Sequence, residues 1–220
     1  MTVRSTCALP RERTVPTLAL PDPDRRPMQV TTRMAGPIGT GLCGVLLAAC
    51  ASTAVMIAPS PQAPVCDRAA RALVLWAPQW RPDQKDAAAR EAAAAAGLAS
   101  FFAGSGCFAD TALRRASNLQ PAAVAAELAG TGGRFDTIVT IGVRELGPVV
   151  RLLSSAALVE GGTEVVLQVR AGSPQTVGQA REFMVHWRHG GPGVVKGVAS
   201  LPGDMAAALG FALQPAASAP

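Results

Sequence analysis

Tyrosine is absent from the 220 residues, aromatic residues make up 4% and charged residues only 16%. So few aromatic rings exclude a stacking platform for single-stranded nucleic acid. Basic charge is also scarce where it would matter. Much of the net +5 comes from the first 49 residues, where Arg4, Arg11, Arg13, Arg25, Arg26 and Arg33 meet only Glu12, Asp22 and Asp24. From position 50 onward the basic and acidic residues nearly balance, which leaves no phosphate-binding stripe and no nucleic-acid partner to expect. Histidine occurs twice, as His186 and His189. Three residues apart on a strand, these two face opposite ways, and no cysteine or close carboxylate completes a metal set, so neither metal nor cofactor is expected. Gly104-Ser105-Gly106 lacks the flanking residues of a nucleophile elbow, and the Gly190–Gly197 run lacks the Gly-Lys-Ser/Thr order of a phosphate loop. Glu145, Glu160 and Glu164 show no acid–base spacing. No catalytic residues stand out.

What is abundant is hydrophobic residues, 49% of the chain, enough for one core and too many for a disordered chain. Its most telling stretch is charge-free from Met34 to Val65. Arg33 precedes it, a short apolar run follows, and small residues lead to Leu47-Ala48-Ala49-Cys50. A positive residue, an apolar run and small residues before a cleavage point outline a secretory signal. The final four residues resemble the lipobox of bacterial lipoproteins. That resemblance implies cleavage before Cys50 by the lipoprotein signal peptidase, which recognises Leu47, Ala48 and Ala49. It also implies a diacylglyceryl group on the Cys50 thiol and further acylation of the freed amine. Several acyl chains give stable anchoring where a single chain is marginal. Ala51 in place of Asp implies, by the same analogy, the outer membrane facing the periplasm. A competing reading is an uncleaved helix over Gly41–Ile57, which is weakly hydrophobic and stopped by Pro59 and Pro61. Residues 1–49 are read as the signal region, with Met28 as the expected true start and 1–27 as Pro/Arg-rich coil. Residues 50–68 are read as lipidated cysteine and flexible tether, 69–214 as one domain, and 215–220 as a disordered tail.

Five cysteines then sort themselves. Cys7 and Cys43 lie in the precursor and Cys50 takes lipid, leaving Cys66 and Cys107 as an even pair in an oxidising compartment. A disulfide between them is expected, with two buried free thiols as the alternative.

Along the mature chain, Ala72–Ala77 is a continuous apolar run suited to a strand buried on both faces. A helix is expected over Asp83–Phe102, a second over Pro121–Ala129 and a third over Leu201–Ala212. Phe135–Val143, Val149–Leu153, Thr163–Arg170 and Arg181–Arg188 read as half-buried antiparallel strands. The expectation is an α+β fold: a mixed, mainly antiparallel sheet of four to six strands, with two or three helices on one main face. This order, with Gly106-Cys107-Phe108 after the first helix and Phe135-Asp136-Thr137-Ile138-Val139 opening a later strand, resembles a group of envelope lipoproteins and periplasmic domains. The group includes lipoprotein activators of penicillin-binding proteins, curli-secretion lipoproteins and the amino-terminal domain of the Tol propeller protein.

The function expected from these features is that of a non-catalytic envelope lipoprotein, docking an unidentified envelope protein and open to homo-oligomerisation. The alternative is a hydrolase or ligand-binding lipoprotein acting on cell-wall or lipid material, through a groove around Trp80, His186 and His189.

Overall fold

A computed structural model describes residues 2–5, 51–153, 158–175 and 180–214. The Leu47–Cys50 motif, the Met28 start and the 215–220 tail lie outside the described residues.

The chain forms one mixed sheet in the order β1-β2-β7-β6-β5-β3-β4. The strands are β1 (Thr2–Ser5), β2 (Ser52–Ala58), β3 (Asp67–Pro78), β4 (Phe108–Arg115), β5 (Thr137–Leu153), β6 (Leu158–Gly172) and β7 (Arg181–Pro192). Helix α1 (Ala87–Gly104) joins β3 to β4, α2 (Pro121–Ala129) joins β4 to β5, and α3 (Leu201–Leu213) closes the chain. β3 runs parallel to both β4 and β5; every other neighbouring pair is antiparallel. The expected α+β class holds.

The apolar run in β3 is buried on both faces because helices cover both. Ala72, Val74 and Trp76 join the main core with Ala94, Leu98 and Phe101 of α1 and Met205, Leu209 and Leu213 of α3. Leu73 and Leu75 point the other way, into a smaller core with Val124 of α2, Phe135 and Ile138. The expectation of helices on one main face is therefore corrected. From β3, the chain crosses to β4 on one side and then back over β3 to β5 on the other. Right-handed crossovers running in opposite directions must lie on opposite faces of the sheet. β7 is a half-buried strand: Phe183, Val185 and Trp187 face the main core and alternate with partly exposed Met184, His186 and Arg188.

Two further expectations change. The segment read as a tether contains β2, paired with β7 from Ser52↔Gly190 to Ala58↔Met184. Val55 and Ile57 pack on the core while Met56 is exposed. β2 covers the edge that β7 would otherwise leave open, and Thr2–Ser5, read as coil, pairs in turn with β2. The two short strands expected over Phe135–Leu153 are one strand, β5, with an irregularity between Val143 and Glu145. Pro148 is tolerated there because the β3 pairing ends at Pro78↔Val143, so the missing N–H leaves no ladder bond unmade on that side.

Asp136, in the motif that opens β5, has a structural task. Its carboxylate accepts hydrogen bonds from the Arg71 backbone N–H (2.9 Å) and from the Arg71 guanidinium (both 3.0 Å), tying β5 to β3. These bonds hold its pKa down at about 2.

Candidate functional sites

The parallel register of β3 and β4 places Asp67 opposite Phe108. Cys66 and Cys107 each precede one of these partners, and their Cα atoms lie 4.6 Å apart. The expected Cys66–Cys107 disulfide is formed across 41 residues of sequence.

The histidines occupy opposite faces of β7. His186 lies on the open face, its Nε2 paired with Glu164 Oε1. His189 lies on the core side, stacked on Trp187 with ring centroids 5.8 Å apart, and its Nδ1 is 2.8 Å from Thr53 Oγ1. Burial lowers the His189 pKa, positive Lys196 lowers it further, and Asp204 partly offsets both. Lys196 Nζ itself donates to Asp204 Oδ1 at 2.5 Å. Trp80 packs against the main core, which His186 does not join. The structure therefore does not gather Trp80, His186 and His189 into one groove. Trp76 and Trp187 are core residues.

His189 gives a measurable consequence. The unfolded imidazole takes up a proton near its ordinary value of 6.5, the folded one only at lower pH. The contribution is thus fully present above pH 6.5 and is lost as pH falls through the lowered folded value. In an NMR titration the His189 ring should have its midpoint below 6.5; a midpoint at or above that value would show that burial does not control it.

Gly190 and Gly191 continue β7 rather than forming a phosphate loop, pairing with Gly162 and Gly161. A Cβ at Gly190 would lie 2.2 Å from Gly161 O and 2.5 Å from Gly162 Cα, so these glycines serve backbone approach. Glu145 is no free carboxylate either. Arg90 Nη1 (3.1 Å) and Arg81 Nη2 (3.5 Å) flank it, and Gln84 donates to it at 2.9 Å. Among the described residues no group of three or more His, Cys, Asp or Glu side chains could hold a metal. No helix among them is long and apolar enough to cross a membrane.

The feature that motif reading missed is a polar crevice of about 250 Å³ beyond the carboxyl ends of β3 and β4. Thr140 and Gly142 of β5 lie at its base, and Gln79, Ser117, Asn118, Gln120, Gln168 and Arg170 supply its polar lining. These residues come from four separate segments and match no chemical motif. The only signal available in the sequence is the cluster Ser117-Asn118-Leu119-Gln120 between a strand and a helix.

No protein-family model and no curated protein matches the chain. Among solved structures it is similar to the PelC dodecamer from Paraburkholderia phytofirmans, with 14% identity and a TM-score of 0.40, over 71% of this chain and 94% of that one. A point variant of that PelC dodecamer, in a second crystal form, aligns with 14% identity and a TM-score of 0.38, over 71% and 96% of the two chains.

Proposed function

We propose that the chain is a lipoprotein of the bacterial cell envelope, cut before Cys50, anchored through lipid on that cysteine and acting as a non-catalytic accessory factor through protein contacts. The observation that carries this is Leu47-Ala48-Ala49-Cys50 at the end of the charge-free stretch behind Arg33. The Cys66–Cys107 disulfide supports it, since such bonds persist in oxidising compartments outside the cytoplasm.

The fold adds a physical consequence. β2 begins at Ser52, two residues after Cys50. A lipid on Cys50 would therefore hold the β2 end of the sheet close to the bilayer, with almost no slack. Cleavage would also release Thr2–Ser5 and bare the outer edge of β2, a surface suited to backbone pairing with a partner.

Metabolic labelling with a radioactive fatty acid tests the central point. The wild-type chain should take up label and the Cys50→Ala chain should not. An unlabelled wild type, or a labelled variant, would sink the proposal.

A further inference from the structure

We propose that the crevice beyond β3 and β4 binds a single uncharged, polyhydroxylated ring, a sugar unit. The inference stands apart from the lipid anchor and rests on topology, lining and charge.

Topology places the crevice first. β3 leaves the sheet toward α1 on one face, while its parallel neighbour β4 leaves toward α2 on the other. Where adjacent connections part in this way the backbone opens a cleft at the carboxyl ends of the strands, the usual place for a ligand in open sheets containing parallel strands. The loop Ser117–Gln120 forms one wall, β6 the other, and β5 the base. Gly142 keeps that base low. A Cβ there would lie 2.7 Å from both Cδ and Oε1 of Gln79, so it is the missing side chain that lets Gln79 lie across the cleft.

The lining then selects the ligand. Among the described residues the exposed Gln79 side-chain amide, which lines the crevice, makes no hydrogen bond, which leaves it both a donor and an acceptor. Asn118 accepts the Gln120 N–H through Oδ1 at 3.0 Å, and its Nδ2 is 3.5 Å from Ser117 Oγ, so its donors retain capacity. Gln168 uses Nε2 on Glu182, which leaves its Oε1 as an acceptor. Donors and acceptors are therefore both left free around a small space. Hydroxyl groups, which donate and accept at once, complement such a set.

Charge disfavours ionic ligands. Arg170 is the one ionic side chain in the lining, and Glu182 already engages it, at 2.9 Å to Nε and 3.3 Å to Nη2. An anion would have to compete with that carboxylate. A cation would find no free carboxylate among the lining residues. Ala77, Pro78 and Leu119 add a narrow apolar strip against which ring C–H groups can rest. The volume of about 250 Å³ falls below the range of about 300–1,000 Å³ common for drug-sized ligands, which fits one ring and not a chain of them. With no aromatic side chain to stack on, affinity should be low, with Kd on the order of 1 mM.

The test titrates the full-length protein, labelled with nitrogen-15, with methyl β-D-glucopyranoside and separately with inorganic phosphate, reading the side-chain amide signals of Gln79, Asn118 and Gln168. Saturable shifts of these signals with the glucoside are expected, with Kd rising about tenfold in Asn118→Ala, the loss of roughly one good polar contact. Asn118 is exposed in a turn, so this variant should fold; Gly142→Val, which fills the base, should abolish binding. Absence of saturable shifts with glucoside up to about 50 mM would overturn the proposal. So would phosphate moving the same signals at lower concentration, or Asn118→Ala binding the sugar as wild type does. None of these results depends on Cys50 or its lipid.

Discussion

Replacing Cys66 and Cys107 together by alanine lowers the stability of the domain by about 3–4 kcal/mol, a large part of the 5–15 kcal/mol typical of a domain. The bond spans 41 residues of sequence, and a loop of that length removes about 4 kcal/mol of chain entropy from the unfolded state in the loop-closure model. The loop contains α1, so without the bond the whole β3–α1–β4 unit must find its register by packing alone. Cys107 is also buried, and its truncation adds a small packing loss on top of the entropic one. Equilibrium denaturation of wild type and the double variant, with wild type repeated under strong reductant, checks the value. Reduced wild type should approach the double variant. A difference below about 1 kcal/mol between oxidised wild type and the variant would mean that the unfolded chain is already restrained in this region.

That bond was legible from the sequence because it needed only parity and compartment. The strands with local signatures were legible too. Leu73-Val74-Leu75 has no polar alternate and so must be buried on both sides, and Phe183, Val185 and Trp187 alternate with polar neighbours. Helix α1 followed from an alanine run between Pro82 and Gly104, and α3 from the segment bounded by Ser200 and Pro215. What escaped detection depends on partners distant in sequence. Ser52–Ala58 becomes a strand because the edge of β7, more than 120 residues later, is there to receive it. Pro148 looks like a break, yet it is harmless once β3 has stopped pairing. The side taken by α2 follows from the strand order, which no local pattern encodes.

The candidate sites divide along the same line. His186 and His189 are the two histidines of the chain, and strand alternation alone places them on opposite faces. The crevice leaves no local signature, because amides and hydroxyls in four segments form no spacing rule. Only the parting of the β3 and β4 connections gathers Gln79, Asn118 and Gln168 around Gly142.

The second large effect belongs to the contact between α1 and α3. Gly97 sits inside α1 and is buried. A Cβ there would lie 2.6 Å from Pro202 O, 2.6 Å from Met205 Cβ and 2.8 Å from Met205 Cγ. Helix propensity alone favours replacement, since glycine in a helix interior costs about 1 kcal/mol relative to alanine. Sterics oppose it more strongly. The carbonyl belongs to the first turn of α3 and cannot swing aside as a side-chain tip could, so accommodating the new atom means separating the helices. That movement loosens Leu98, Leu201, Met205 and Leu209 together, all fully buried in the main core. Overpacking of this kind costs about 1–3 kcal/mol and occasionally more. Valine, which adds two methyl groups beyond the Cβ, should reach or pass 3 kcal/mol, since its propensity gain is only a few tenths of a kcal/mol. The contrast lies in α3 itself. A Cβ at Gly203 or Gly210 would have nothing within 4 Å, so alanine at either should stabilise by up to about 1 kcal/mol through propensity. Denaturation of Gly97→Val, Gly97→Ala, Gly203→Ala and Gly210→Ala under one condition separates the effects. Opposite signs are expected for position 97 and the two α3 positions. A stabilised Gly97→Ala would show that the helices are not in close contact there.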